Sequence, residues 1–279
     1  MIDTATTRTA PVRTATRREY LMCPPDHFDV VYAINPWMDP AMPVDRGRAT
    51  RQWAELRDAY RGLGHVVHLA EPVPGLVDMV FAANCALVVD SLVYGARFRH
   101  PERAPEAVAY RSWFAAAGLT GNRDAEYVNE GEGDFAVLRD FVLAGTGFRT
   151  EPEAHGEAQE FLGRPVVSLH LTDPRFYHLD TALFVLDEEN LAYYPPAFSP
   201  GSRAVLARLF PEALIATRAD ALALGLNSVS DGANVVVAAA ATELIAQLAA
   251  NGYRPIPVDL CELARAGGGA KCCTLEIRR

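Results

Sequence analysis

Near its C-terminus the chain reads GGGAKCCTLEI, residues 267–277. Three consecutive glycines permit backbone conformations that a side chain forbids, and the run from Cys273 to Ile277 has the composition of a β-strand. A cysteine at the start of a strand, directly after a glycine loop, is well placed to face a cleft. Cysteine is also a small residue that is often simply buried. The spacing alone therefore leaves both a catalytic and a structural interpretation open.

The rest of the chain alternates strand-like and helical runs at a regular interval. The order strand, strand, helix, strand recurs about five times with a period of about 45–55 residues, which predicts a propeller-like or otherwise repeated α/β architecture. The predicted strands are 20–23, 28–34, 65–69, 79–81 continuing to 86–89, 126–129, 135–138, 166–171, 182–186, 214–217, 234–238 and 273–277. The predicted helices lie along Trp53 to Gly64, at 105–117, after Thr150 with Glu153 as its capping-box partner, at Ser199-Pro200, at 243–250 and after Asp259 with Glu262.

Composition narrows the class of protein. Half of the 279 residues are apolar and the formal net charge is −9. A chain of this length can bury a large core, and an acidic surface argues against nucleic acid or an anionic membrane while fitting an enzyme with a cationic substrate. The five cysteines show no framework spacing, which favours a reduced, cytoplasmic protein. Cys23, Cys85 and Cys261 are interpreted as buried thiols.

The chain shows no targeting or cofactor signature. Residues 1–18 are rich in Thr, Ala and Arg without an apolar segment, so we expect a disordered leader followed by a single domain over 19–279. The most apolar run, 235–250, is interrupted by Glu243 and Gln247 and predicts a core helix rather than a membrane span. There is no G-x-G-x-x-G after a strand, no P-loop and no metal-ligand spacing, so we expect no nucleotide, metal or other cofactor.

Four stretches place polar side chains within apolar, strand-like sequence. They are FAANCAL (81–87), NEGEGDF (129–135), FYHLDTA (176–182) and the cysteine turn. Acids interleaved with glycines hold carboxylates close together, which an ordinary turn does not need. Structural interpretations remain open for each: a solvated turn at 130–134, a buried core histidine at His178 capped by Asp180, and a turn residue at Asn84.

Taken together, these stretches resemble the guanidine-modifying (pentein) superfamily of arginine deiminases, dimethylargininases and amidinotransferases. The resemblance extends over about residues 20–277 and is greatest to the actinobacterial dimethylargininases and to the arginine dihydrolases. It implies a five-bladed α/β propeller with the active site at its centre, made of strand-strand-helix-strand units. The matching pieces are NPWM (35–38), FAAN (81–84), EGEGD (130–134), FRT (148–150), HLDT (178–181) and residues 268–272.

The resemblance implies a covalent mechanism. Cys272 would attack the guanidinium carbon, and His178 would protonate the departing amine and then activate water. Glu130 would orient His178 and favour its charged form, while Asp180 and Asn84 would hold guanidinium N–H groups.

The resemblance also implies how the rest of the substrate is held. Arg149, together with Arg99, would receive the substrate α-carboxylate, and Asn35 is a further substrate-binding candidate. The expected partner is a small cationic guanidine. Neither nucleic acid nor a membrane is expected, and a homo-oligomer is left open.

Three positions depart from the pattern of the resembled enzymes. Asn84 stands where dimethylargininases usually have an aspartate. The acid turn is one residue longer, so that Glu130, which we favour, and Glu132 compete as the partner of His178. The adjacent pair Cys272 and Cys273 leaves the nucleophile to be chosen, since side chains alternate along a strand and only one of the two can face the cleft. The resemblance to mammalian-type members, which carry a Cys-Cys pair with the first as nucleophile, favours Cys272.

Several functions compete. Hydrolysis of dimethylarginine to citrulline and dimethylamine ranks first, and arginine dihydrolase or deiminase activity, yielding ornithine or citrulline with ammonia, ranks second. An amidinotransferase would share the first half-reaction. A binding protein without catalysis is the third hypothesis, and the joint presence of Cys272, His178 and Glu130 argues against it.

Overall fold

The computed structural model describes residues 12–279. Five three-stranded sheets follow one another along the chain, each built in the same order. In blades two to five, two antiparallel strands are followed by a helix and a third strand that pairs in parallel with the second. These sheets are the five blades of the α/β propeller that the repeated pattern and the resemblance predicted.

The elements of the first three blades are as follows. Blade one contains β1 (Glu19–Met22), α1 (Arg46–Gly62) and β2 (Val66–Leu69). Blade two contains β3 (Ala86–Val89), β4 (Leu92–Gly95), α2 (Ala104–Ala116) and β5 (Gly121–Asp124). Blade three contains β6 (Phe135–Val137), β7 (Val142–Thr146), α3 (Pro152–Leu162) and β8 (Val166–His170).

The remaining elements complete the ring order. Blade four contains β9 (Leu183–Val185), β10 (Leu191–Tyr193), α4 (Pro200–Leu209) and β11 (Leu214–Ile215), and it is followed by α5 (Arg218–Leu222). Blade five contains β12 (Val229–Ser230), β13 (Asn234–Ala238), α6 (Thr242–Ala250) and β14 (Arg254–Val258). The last strand, β15 (Leu275–Glu276), pairs antiparallel with β1 and so supplies the strand that blade one otherwise lacks.

The helices cover the sheets with the apolar faces that their sequences predicted. In α1, Trp53, Leu56 and Tyr60 are buried, and Ser199 caps α4 by accepting a hydrogen bond from the Ser202 N–H. None of the helices between residues 12 and 279 combines the length and the apolar character that crossing a bilayer requires.

Three predicted strands are absent. Residues 28–34 form a loop, although Phe28 and Val30 are buried. Because β1 is already paired with β15 on one side and β2 on the other, this segment cannot pair with β1, the strand it follows in sequence. The other two missing strands are 79–81, which is a turn leading into the 3₁₀ turn Ala82–Cys85, and 126–129, which contains only an isolated bridge at Asn129.

The two predicted capping boxes are also wrong. Helix α3 begins after Glu151, because the Thr150 hydroxyl donates to Asp134 instead of capping the helix. Glu262 accepts a hydrogen bond from the Asp45 N–H rather than capping the short turn Leu263–Ala266. Cys261, expected to be buried, is exposed.

The expected leader lies partly outside the described residues, since 1–11 are not described. Residues 12–18 have no regular secondary structure but contact the propeller. Arg13 pairs with Asp187 at 2.7 Å, and the Thr16 N–H donates to the Asp231 carbonyl at 2.8 Å.

Candidate active site

The candidate site is built from equivalent positions in successive blades. Short 3₁₀ turns at Ala82–Cys85, Gly131–Gly133 and Leu179–Thr181 immediately precede the first strands of blades two, three and four. These turns carry Asn84, Glu132 and Asp180, while the C-terminal turn carries Cys272 ahead of β15. Because the inner ends of the blades converge, side chains that are far apart in sequence meet at the centre.

His178 and Glu130 form a buried pair. Nε2 of His178 lies 2.8 Å from Oε2 of Glu130, and both side chains are essentially inaccessible to solvent. Glu130 also accepts hydrogen bonds from Nη1 of Arg149 at 2.9 Å and from the Arg99 main-chain N–H at 3.2 Å. Burial alone would raise the pKa of Glu130, but Arg149 and His178 together hold it well below the usual range. The carboxylate beside His178 is therefore ionised at neutral pH.

Asp134 links the turn at 130–134 to the turn at 178–181. Its Oδ1 accepts from the Leu179 N–H at 3.0 Å, while its Oδ2 accepts from the Thr150 hydroxyl at 2.7 Å. Burial raises the pKa of Asp134. Since Leu179 directly follows His178, this bond helps to set where the imidazole points.

Gly133 makes room for two other side chains. A Cβ atom at this position would lie 2.2 Å from Nδ2 of Asn84 and 3.2 Å from Nδ1 of His178. Both of these nitrogens are buried without a hydrogen-bond partner among residues 12–279. Two unsatisfied donor or acceptor groups side by side are what a site awaiting a polar ligand presents.

Cys272 lies between a hydrogen-bond acceptor and a donor. Its Sγ donates to Oδ2 of Asp180 at 3.1 Å and accepts from Nδ2 of Asn227 at 3.0 Å. Burial is the main cause that raises the pKa of the Cys272 thiol well above its usual value, and the Asp180 carboxylate is the second. Asp180 is itself buried, which raises its pKa, and its Oδ1 has no partner within the described part of the chain.

The neighbouring Cys273 points into the apolar core and does not line the cavity beside Cys272. Burial also raises the pKa of the Cys273 thiol well above its usual value. The pair occupies a turn ahead of β15 rather than the predicted strand, but only Cys272 faces the polar cluster.

Glu132 faces away from His178. Its carboxylate pairs with Lys271 at 2.5 Å and with Arg278, and it accepts a hydrogen bond from the Glu276 N–H at 3.0 Å. Burial would raise the pKa of Glu132, but the two cations lower it overall. This carboxylate ties the acidic turn to the C-terminal segment.

A cavity of about 10 Å³ lies against Cys272. Arg149 borders it with both terminal nitrogens occupied: Nη1 by Glu130 and Nη2 by the Ile34 carbonyl at 2.8 Å. The polar side chains around the cavity are Asn35, Asp78, Asn84, Arg103, Arg149 and Tyr177. A cavity of this volume is too small for an arginine.

The other expected binding residues are placed as follows. Asn35 holds the loop that contains it, donating to the Ala266 carbonyl at 3.0 Å and accepting from the Trp37 N–H at 2.9 Å. The Arg99 side chain is exposed, and only its main chain reaches Glu130. Oδ1 of Asn84 accepts from Nη1 of Arg103 at 2.8 Å.

Sequence reasoning missed three residues of the cluster. Arg103 is buried and pairs with Glu106 at 2.8 Å, and the i, i+3 spacing of these residues on α2 was a signal for it. Asp78 is buried with Oδ1 unpartnered among residues 12–279, while its Oδ2 accepts from Tyr32. Asn227 precedes the first strand of blade five as Asn84 precedes that of blade two, and this equivalence could have identified it.

Five strand-strand-helix-strand blades that bring a cysteine, a histidine and carboxylates together at their inner ends define the guanidine-modifying class of α/β propellers. No protein-family model matches the chain. The sequence is 53% identical to the N(G),N(G)-dimethylarginine dimethylaminohydrolase of Mycobacterium tuberculosis, over 95% of this chain and 87% of that protein. The chain therefore belongs to the dimethylargininase family within the pentein superfamily.

Arginine dihydrolases are also related to it. The bifunctional arginine dihydrolase/ornithine cyclodeaminase ArgZ of Synechocystis is 38% identical over 92% of this chain, which matches 37% of the length of that enzyme. The crystal structure of the N-terminal domain of ArgZ with its substrate bound superposes with a TM-score of 0.89 at 36% identity, over 94% of this chain and 98% of that domain.

Proposed function

We propose that the protein hydrolyses the guanidinium group of N,N-dimethylarginine to give citrulline and dimethylamine. The observation that carries this proposal is the placement of a buried thiol, Cys272, against Asp180 in a cluster that also holds the His178–Glu130 pair. The 53% identity to a dimethylargininase supports the choice of substrate.

Asp180 is assigned to the guanidinium. Its Oδ1 is free of partners within residues 12–279, and its Oδ2 contacts the sulfur that would attack. A guanidinium seated on Asp180 would compensate the charge that now opposes ionisation of Cys272. Asn84 would donate from Nδ2, because its Oδ1 is already directed at Arg103.

Arg149 is assigned to the α-carboxylate. Its Nη2 now donates to the Ile34 carbonyl, and a substrate carboxylate would replace this neutral acceptor with a charged one. Asn35, which borders the cavity, and Arg99, whose side chain is exposed, would contact the amino-acid end of the substrate.

In the first half-reaction the Cys272 thiol releases its proton to water once the substrate guanidinium occupies Asp180. Sγ then attacks the guanidinium carbon and forms a C–S bond. His178, protonated and held by Glu130, gives its proton to the dimethylated nitrogen, and the C–N bond breaks with loss of dimethylamine. The product of this half is a thiouronium on Cys272.

In the second half-reaction His178, now neutral, accepts a proton from water. The hydroxide adds to the thiouronium carbon, the tetrahedral adduct collapses with departure of the Cys272 thiolate, and the hydroxyl proton left on the product passes to that thiolate, which restores the thiol. The amidino carbon becomes the ureido carbon of citrulline. The net reaction consumes one water and needs no oxidant or reductant.

Arginine dihydrolase activity is the second candidate. Asn84 stands where the resembled dimethylargininases have an aspartate, and an arginine dihydrolase domain shares the fold at 36% identity. A dihydrolase would repeat the attack at the ureido carbon and release ornithine. The identity of 53% to a dimethylargininase outweighs this single position.

A product assay decides between the two candidates. Purified protein is incubated separately with asymmetric dimethylarginine and with arginine, and citrulline, ornithine, dimethylamine and ammonia are resolved by chromatography. Citrulline with dimethylamine is the expected result. Ornithine with ammonia from arginine would establish the dihydrolase, and transfer to an added amine acceptor would establish an amidinotransferase.

We also infer that residues 19–279 act as one catalytic domain in the cytoplasm. The pairing of β15 with β1 joins the two ends of this segment, and all five cysteines are free.

A further inference from the structure

The Asn227 side chain forms four hydrogen bonds. Three are with the turn that carries Cys272, and one is with Asp180. The residue is about 1% exposed and lies between α5 and β12. Its Oδ1 accepts from the main-chain N–H groups of Gly269 and Cys272, both at 2.9 Å. Its Nδ2 donates to Sγ of Cys272 at 3.0 Å and to the Asp180 carbonyl at 3.2 Å.

These contacts determine which way the amide faces. Two main-chain donors converge on Oδ1, and a rotated amide would direct N–H against N–H at both of them. The NH₂ group must therefore point at the sulfur of Cys272. The donor is held in place before any substrate arrives.

Neither Asp180 nor Lys271 supplies such a side-chain donor. Asp180 accepts from the thiol and so favours its protonated form, while Lys271 is engaged by Glu132 and the Thr274 carbonyl. Cys273, Tyr177 and His178 are the remaining titratable neighbours, and His178 directs Nε2 at Glu130. Burial and Asp180 both oppose ionisation of Cys272, whereas the Gly269 main-chain N–H and the Asn227 amide both favour it.

We propose that Asn227 is a catalytic residue that stabilises the Cys272 thiolate through its Nδ2–H···Sγ hydrogen bond. The proposal deepens the proposed function, on which its catalytic part rests. The sulfur carries negative charge when it attacks and again when it departs from the thiouronium adduct. A fixed donor at this atom stabilises charge at both moments without reorganisation.

The test is the pH dependence of Cys272 alkylation by iodoacetamide, followed by mass spectrometry of the Cys272 peptide. Asn227→Ala removes the donor, and Asn227→Asp keeps an acceptor for Gly269 and Cys272 while replacing the NH₂ group. A hydrogen bond to a charged group of ordinary strength predicts that Asn227→Ala lowers the alkylation rate at fixed pH by roughly 10- to 100-fold. Asn227→Asp should lower it at least as much, because it also adds a carboxylate.

Asn122→Asp on β5 is the matched control, since its Nδ2 only donates to the Leu119 carbonyl and the charge change is the same. This variant should retain the wild-type profile. Circular dichroism verifies that each variant is folded. If neither Asn227 variant folds, the side-chain amide resonances of wild-type Asn227 are followed by NMR, and they should titrate with the Cys272 thiol and cease to do so in Cys272→Ser.

Alkylation needs no substrate, so the two proposals fail separately. An unshifted alkylation profile in folded Asn227→Ala and Asn227→Asp, or amide resonances that do not follow the thiol, would overturn the role of Asn227 even if turnover falls. A shifted profile in a protein that releases no product from any guanidine would support the thiolate contact and refute the proposed function.

Discussion

Glu130 and Glu132 are two residues apart in one turn, both are buried, and both are flanked by glycine, yet their neighbours differ completely. Glu130 contacts His178 and Arg149 beside the cavity, whereas Glu132 contacts Lys271 and Arg278 at the C-terminal segment. Both pKa values are lowered by cations. Burial and ion pairing are therefore shared by the two carboxylates. What sets Glu130 apart is its contact with His178, the proposed general acid and base.

The largest expected effect is on turnover, and it comes from replacing Cys272, the proposed nucleophile. Cys272→Ser should reduce turnover by at least about 1,000-fold, because a hydroxyl is a far weaker nucleophile than a thiolate in this site. Cys273→Ser, whose side chain packs in the core, should retain turnover within about tenfold. Steady-state kinetics on both variants checks this, and equal losses would refute the assignment of a single nucleophile.

Glu130→Gln tests the difference between Glu130 and Glu132 directly. Loss of the carboxylate beside His178 should lower kcat by about 10²- to 10⁴-fold, the range of general acid–base contributions. It should also destabilise the fold, because Arg149 is left buried without its counter-charge. Stopped assays on protein verified as folded by circular dichroism measure the kcat effect. A kcat within about twofold of wild type would contradict the role of Glu130.

Glu132→Gln should affect stability rather than chemistry. Removing a buried carboxylate that pairs with Lys271 and Arg278 is expected to lower the free energy of unfolding by about 3–5 kcal/mol. The folded fraction should keep kcat within about tenfold of wild type. Urea denaturation and steady-state kinetics give the two numbers, and a loss of kcat as large as that of Glu130→Gln would remove the distinction between the two carboxylates.

A smaller effect is expected on the rate of Cys272 alkylation and its dependence on pH. The raised pKa of Cys272 means that the thiol form dominates at neutral pH, so its alkylation by iodoacetamide should rise about tenfold per pH unit up to that pKa. Asp180→Asn removes the charge that opposes ionisation and should speed alkylation at pH 7 by roughly tenfold while lowering turnover. Slower alkylation in this variant would mean that Asp180 does not oppose ionisation.

The smallest expected effect is on stability, and it concerns Gly133 in the turn that carries both carboxylates. Gly133→Ala forces Asn84 to move, since a Cβ would lie 2.2 Å from its Nδ2, and it should cost about 1–3 kcal/mol of stability with a reduced kcat/KM. Gly156→Ala on α3 meets no atom within 4 Å and should instead add up to about 1 kcal/mol. Thermal unfolding of the two variants checks the contrast, which fails if Gly133→Ala is as stable as Gly156→Ala.

Much of the fold was predictable because each blade is a local unit. The strand-strand-helix-strand order repeats with its own turn signals, and helices such as α1 and α4 show their buried faces and caps in their own sequences. The loop at 28–34 could not be predicted in the same way. Its composition is strand-like, but the place beside β1 is taken by β15, which is more than 250 residues away in sequence.

The candidate site divides along the same line. The sequence by itself determined that a cysteine follows a glycine loop and that His178-x-Asp180 and an acidic glycine-rich turn precede short strands, because these are local patterns of residue type. Only the tertiary structure decided that Glu130 rather than Glu132 contacts His178, that Cys272 rather than Cys273 meets Asp180, and that Asn227 and Arg103 join the cluster. Arg103 and Asn84 are 19 residues apart in the same blade. The other contacts join side chains that are 45 to 92 residues apart, and they are set by how the blades converge, not by the residues on either side.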